Sequence, residues 1–218
     1  MKLHELMQHK ITVISGHFGS GKTNVAVNLA LDAARAGEQV CIADLDIVNP
    51  YFRTADNAEF LRTNGVKPLV AQYANTNVEI PTVPETLGEV FYGEGRAIVD
   101  VGGDPEGAAA LGWGRDRYEA AGYDMYFVCN FYRPATLCAE DALRLLRETE
   151  LASGMRFCGI INNSNLGRLT EPSTVEATLA EGEKLAALAG IPVMAVTAVV
   201  TLPCAKAVRI QNLTKQLF

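Results

Sequence analysis

Seven short apolar runs, each set off from the next by a longer segment, leave this chain few folds to choose from. They are "ITVIS" from Ile11, "QVCIADLD" from Gln39, "PLVAQ" from Pro68, "RAIVDV" from Arg96, "YDMYFVCN" from Tyr123, "RFCGIIN" from Arg156 and "PVMAVTAV" from Pro192. Most are continuous rather than alternating, which is the pattern of strands buried on both faces. Between them lie helix-prone stretches that stop at glycines: "KTNVAVNLALDAARAG" at Gly37, "TLCAEDALRLLRETELASG" at Gly154 and "PSTVEATLAEGEKLAALAG" at Gly190. Repeated strand–helix units imply right-handed crossovers. The expectation is an α/β, doubly wound, mainly parallel sheet of about seven strands with helices on both faces, its ligand beyond the carboxyl ends of the strands. The 218 residues, 49% of them hydrophobic, suit one such domain over 1–218 better than two. The stretch from Tyr51 to Glu94, with "ANTNVEIPTVPETLGE", carries few periodic cues and is expected to hold irregular structure and short helices, either as a plain connection or as a segment that faces a partner.

The first strand runs into "GHFGSGKTN", Gly16 to Asn24. Gly16, four further residues, then Gly21, Lys22 and Thr23 give the P-loop spacing G-x-x-x-x-G-K-[ST] between a strand and a helix, the context the motif requires. Glycines at 16, 19 and 21 let backbone N–H groups turn inward around an anion, and the helix behind them aims its positive end at the same place. Gly16, His17, Phe18, Gly19, Ser20, Gly21, Lys22, Thr23 and Asn24 are therefore candidates for nucleotide binding. Lys22 would reach the β- and γ-phosphates and Thr23 would ligate Mg²⁺.

Acidic residues close two of the expected strands on the same edge: Asp44 and Asp46 in "ADLDIVNP", and Asp100 in "AIVDVGGD". A carboxylate there can hold Mg²⁺, directly or through water, and another can orient the water that attacks a γ-phosphate. Asp44 and Asp46 share one side of their strand, so spacing separates their roles only weakly. One of the pair can equally be a solvated strand end or a helix cap.

Together these residues resemble the MinD/ParA branch of P-loop NTPases, which includes the nitrogenase iron protein and the CobQ/CobB nucleotide-binding domains. The resemblance covers nearly the whole chain and rests on "GHFGSGKT", "DLD" followed by Pro50, "DVGGD" and "GIINNS". It implies that Asp46 acts on the hydrolytic water, beside Lys22 in catalysis. It also implies that Asp100, with Thr23 and Asp46, serves the Mg²⁺, and that Gly103 senses the γ-phosphate. Asn163 falls where the family has an adenine-contacting amide, with Asn162 as its rival. No N-K-x-D guanine signature occurs, which favours ATP over GTP.

The departures are as informative. The family's signature lysine, which in MinD-like dimers reaches across to the partner's phosphate, aligns with His17, and Phe18 replaces a glycine. A neutral histidine supplies no permanent cation at pH 7. Either the charge is met otherwise, by an arginine such as Arg53 or Arg133, or hydrolysis does not run through a MinD-type sandwich homodimer. His17 then either lines the nucleotide or faces solvent. Arg133, in "NFYRPATLC", could also bind an anionic substrate or a partner, and "YRPAT" could equally be an ordinary turn into a helix. No cysteine follows "DVGGD" as in the iron protein, so no Fe–S cluster is expected.

Net charge of -6 argues against a general nucleic-acid surface. The five cysteines form no C-x-x-C pair, and the amino-terminal "MKLHELMQHK" has no apolar core, which together predict a reduced, cytoplasmic setting. The last stretch, "CAKAVRIQNLTKQLF", places Ile210, Leu213 and Leu217 at helical spacing. That predicts a final helix packed on the sheet, with membrane attachment the less favoured alternative. The expected activity is a Mg-ATP-dependent switch ATPase acting with a protein partner. A small-molecule kinase or ATP-dependent ligase of the dethiobiotin synthetase or CobQ/CobB type is the second choice.

Overall fold

The computed structural model describes residues 1–45, 58–69, 87–103 and 105–213. Its strands are β1 (Ile11–Ser15), β2 (Val40–Leu45), β3 (Val66–Leu69), β4 (Arg96–Val101), β5 (Tyr123–Cys129), β6 (Gly159–Asn162), β7 (Val193–Ala198) and β8 (Ala207–Arg209). The helices are α1 (Lys22–Arg35), α2 (Ala58–Thr63), α3 (Leu87–Tyr92), α4 (Pro105–Gly112), α5 (Arg115–Ala121), α6 (Ala139–Ser153), α7 (Pro172–Glu176) and α8 (Leu179–Ala189). One sheet takes all the strands in the order β3-β2-β4-β1-β5-β6-β7-β8, and every pairing is parallel.

Continuous apolar strands need cover on both faces, and they have it. Ile11 and Val13 of β1, Cys41 and Ala43 of β2 and Val99 of β4 point into one core, closed by Val90 and Phe91 of α3, Leu111 of α4, Leu146 of α6 and Leu185 of α8. Their sequence neighbours Ile14, Ile42 and Ile98 point into the other, closed by Val25, Leu29 and Ala33 of α1 and Leu61 of α2. The amino-terminal residues seal this second core: Leu3 and Leu6 are buried, and the buried Tyr126 hydroxyl donates to the Leu6 carbonyl at 2.6 Å. No helix among the described residues is long and apolar enough to cross a membrane.

The chain's end differs from expectation. Residues 207–209 form an eighth strand beside β7, and the Ile210 N–H donates to the Ala198 carbonyl at 2.8 Å. Val208 and Ile210 are buried while Arg209 between them is exposed. That period of two, read from "AVRI", wins over the helical spacing of Ile210 and Leu213 because the edge of β7 takes the backbone and the core that α1 closes takes Val208 and Ile210. Leu217 lies outside the described residues. Two smaller differences have local causes. The third strand begins at Val66, earlier than Pro68. The stretch 172–190 divides at Thr178, whose hydroxyl donates to the Val175 carbonyl and accepts from the Asn162 amide, turning the chain between α7 and α8. Both α2 and α3 are the short helices expected between Tyr51 and Glu94.

Candidate functional site

The "GHFGSGKT" loop crosses the carboxyl end of β1, the middle of the sheet, and enters α1. Gly19 and Gly21 have φ of 76° and 83°, a region that side-chain-bearing residues avoid, so the loop's curl depends on glycine at both. Gly16 is fixed by contact: a Cβ there would lie 2.1 Å from the Val128 carbonyl oxygen of β5. Lys22, Thr23 and Asn24 begin α1, whose first turn leaves N–H groups without intrahelical acceptors. The hydroxyls of Ser15 and Ser20 are buried and take no hydrogen bond among the described residues. A glycine-lined loop at the start of a helix, with spare buried hydroxyls, suits a polyphosphate, and the Thr23 hydroxyl and the nearby carboxylates are the hard oxygen donors that Mg²⁺ takes.

The acidic strand ends converge beside it. Asp44 on β2 is in register with Asp100 on β4, and Asp100 is in register with Ile14 of β1 on its other side. Asp100 is fully buried, Asp44 partly. Asp46 and Arg53 lie outside the described residues. Gly103, just after β4, rests on the loop itself: a Cβ would fall 1.9 Å from the Gly16 carbonyl oxygen and 2.8 Å from the His17 nitrogen. His17 is partly buried; Phe18, at the loop's crest, turns its ring outward and is half exposed.

The structure also separates the two asparagines that end β6. Asn162 turns into the interior, where its Nδ2 donates to the Thr178 hydroxyl at 3.1 Å and its Oδ1 accepts from the Ser164 hydroxyl at 2.6 Å. Asn163 turns the other way. Its Nδ2 donates to the Ser20 carbonyl at 2.8 Å and its Oδ1 accepts from the Thr197 hydroxyl at 2.8 Å, so this amide braces the loop. A Cβ on Gly21 would collide with that amide nitrogen, at 2.4 Å. Asn24 faces away from the cradle: its Oδ1 accepts from the Leu213 N–H at 2.9 Å and so holds the chain's end against α1.

Sequence reasoning missed Thr197 and the Asn24–Leu213 contact. Thr197 had a weak signal, a lone hydroxyl in the apolar run of β7; Asn24 had none, since its partner is 189 residues away.

A parallel, doubly wound sheet with this loop at the end of its central strand is the fold of the P-loop NTPase class. Within that class the fold is ParA-like. A family model described as ParA, NUBPL iron-transfer P-loop NTPase, matches residues 6–77, the part that carries β1, the loop, α1 and β2. No curated protein sequence gives a significant match. Among solved structures, FtsY from Mycoplasma mycoides superposes with a TM-score of 0.58 at 18% identity, over 86% of this chain and 59% of that one. The cell division protein FtsY from Thermotoga maritima gives 0.60 at 14% identity, over 90% of this chain and 67% of that one. The signal recognition particle receptor FtsY from Elizabethkingia anophelis gives 0.54 at 14%, over 89% and 63%. The chain thus spans between 59% and 67% of these proteins' lengths, and at such identities the likeness is one of fold.

Proposed function

We propose that this chain is a switch ATPase, which binds Mg-ATP in the Gly16–Thr23 cradle, hydrolyses it slowly and engages a protein partner according to whether the γ-phosphate is present. The observation that carries this reading is the seat of Gly103 on the loop. A Cβ on Gly103 would lie 1.9 Å from the Gly16 carbonyl oxygen, so the backbone after β4 packs directly on the backbone of the loop and a displacement of one is felt by the other. A segment that follows a buried carboxylate and touches the phosphate loop is well situated to report on the last phosphate.

The residues take the roles their chemistry allows. Backbone N–H groups of Gly19, Gly21, Lys22 and Thr23 hold the phosphate chain, and Lys22 adds a cation beside its β- and γ-groups. Thr23 and Asp100, with Asp46, would hold Mg²⁺, which when bound neutralises charge on the β- and γ-oxygens. Asp46 orients the attacking water. Asn163 keeps one Nδ2 hydrogen beyond its bond to Ser20, available to a purine ring nitrogen. ATP is favoured because the turn after Asn163 reads Ser164, Asn165, Leu166 and has no carboxylate to accept from a guanine edge.

The matched family model is described by iron transfer. The matched residues contain one cysteine, Cys41, which is buried, and burial pushes its thiol up to about 11, far from the thiolate that metals require.

A second reading, a small-molecule kinase or ligase, is favoured by His17 standing where the family's lysine stands. Light scattering on a sizing column separates the two, using Asp46→Ala protein without nucleotide, with Mg-ADP and with Mg-ATP. The switch reading expects a larger species, a homodimer, with Mg-ATP alone. A mass indifferent to ATP would contradict a dimerising switch and turn the search to phosphoryl acceptors.

A further inference from the structure

Arg133 lies between β5 and α6, on the edge of the sheet that carries the loop. Its Nε–H donates to the Gly19 carbonyl oxygen at 3.0 Å, and a Cβ on Gly19 would lie 3.2 Å from Nε and 3.6 Å from Cζ, so the guanidinium is packed against the crest of the loop. A guanidinium has five N–H donors in a rigid fork, and this contact uses one. Among the described residues the four terminal N–H groups of Arg133 have no acceptor and the side chain has no carboxylate partner.

Its mounting is rigid. The Arg133 N–H donates to the Asn130 carbonyl at 3.1 Å, and the Thr136 hydroxyl donates to the same oxygen at 2.6 Å. The Asn130 side chain is buried and bridges the Tyr132 N–H, at 3.0 Å, to the turn after β6, where its Nδ2 donates to the Asn165 carbonyl. The Tyr132 hydroxyl donates to the Thr174 carbonyl on α7 at 2.8 Å, and Pro134, whose ring fixes its own φ, keeps Arg133 before it in extended backbone. The side chain is exposed to solvent, yet its stem is braced and most of its donors are unspent beside the phosphate loop, so the fork is placed to meet charge that arrives there.

We infer that Arg133 is the cation that meets the developing charge on the phosphate chain, supplied by the same chain, where His17 has replaced the lysine of the family loop. This rests on the nucleotide reading of the site. In hydrolysis the water oxygen bonds to the γ-phosphorus as the bond from that phosphorus to the bridging oxygen breaks. The electron pair stays on the departing diphosphate, the water's proton leaves with the phosphate product, and the guanidinium interacts more strongly with the transition state than with the diphosphate product. Arginine serves this better than lysine because a planar fork can engage two phosphate oxygens at once.

The test compares wild type, Arg133→Ala and Arg133→Lys by calorimetric titration with Mg-ADP and with Mg-ADP plus aluminium fluoride, alongside steady-state turnover. The expected result is ADP affinity within about threefold across all three proteins. Arg133→Ala should lose about 100-fold in turnover, the size of effect seen when one transition-state donor is removed, and at least tenfold in affinity for the aluminium fluoride complex. Arg133→Lys should fall between. Equal loss for ADP and for the fluoride complex would overturn the inference and leave Arg133 as a brace for Gly19. Unchanged values for both, with normal turnover, would overturn it outright. If wild type bound ADP no better than Lys22→Ala, the nucleotide reading would fail first and take this inference with it.

Discussion

At the residue scale, Asn162 and Asn163 show how two identical neighbours acquire opposite duties. They follow each other at the end of a strand, so their side chains leave on opposite sides. One finds Thr178 and Ser164, the other finds Ser20 and Thr197. Replacing Asn163 by Ala removes the amide that ties the loop to β7, leaves the Ser20 carbonyl and the Thr197 hydroxyl without it, and is expected to lower nucleotide affinity about tenfold at a cost of roughly 1–3 kcal/mol of stability. Replacing Asn162 by Ala leaves buried partners unsatisfied and is expected to cost roughly 1–3 kcal/mol of stability with affinity changed less than about threefold. Urea unfolding and nucleotide titration of the pair check this; an affinity loss in Asn162→Ala and none in Asn163→Ala would mean that the roles are reversed. The motif in "GHFGSGKT" was legible because its glycines and Lys-Thr stand at fixed spacing. The orientation of "NN" was not, since it depends on how β6 sits between β5 and β7.

At the scale of elements, the chain's end is tied to the helix that follows the loop. Asn28 of α1 pairs with the backbone of Gln211 in both directions, its Nδ2 donating to the Gln211 carbonyl at 2.8 Å and its Oδ1 accepting from the Gln211 N–H at 2.8 Å. One turn earlier Asn24 holds Leu213. Asn28→Ala is therefore expected to destabilise the protein by about 1 kcal/mol, because its bonds are partly open to water, and to speed amide exchange at Gln211 and Leu213 more than in α6. Uniform exchange across the molecule would mean that the segment is held by something else. This clasp explains why the final strand was misread from sequence. "AVRIQNL" fits a helical stripe about as well as a strand, and the deciding facts, the open edge of β7 and the two asparagines on α1, are far away in sequence. The inner strands carried their own signal as apolar runs with no room for alternation.

At the scale of the whole molecule, the contact between His4 and Asp32 fastens the amino-terminal turn to α1. The His4 N–H and ring Nδ1 both meet the Asp32 carboxylate, at 2.9 and 2.8 Å. Burial by itself would raise the Asp32 carboxyl, but these contacts outweigh it and hold it below its usual value of 3.8. A carboxyl lowered by folding adds stability that is complete above the ordinary value and disappears as pH falls through the depressed one. Wild type should therefore exceed Asp32→Asn in melting temperature at about pH 5, and the margin should shrink below about pH 4. A margin that is flat to pH 2 would assign the effect of the substitution to packing. The layered architecture as a whole was readable before any coordinates, because buried parallel strands and glycine-stopped helices leave one arrangement that buries both. The strand order, which brings Asp44, Asp100 and the loop to neighbouring positions, was not readable, since nothing local in "IVD" or "IAD" says which strand lies beside which.

The measurement that bears most directly on the account is calorimetric titration of wild type and Lys22→Ala with ATP and with GTP in the presence of magnesium. The account predicts one ATP per chain, GTP weaker by about tenfold or more, and a loss of at least tenfold in ATP affinity on removing the lysine amine. Failure of wild type to bind either nucleotide, or binding that Lys22→Ala leaves untouched, would contradict it.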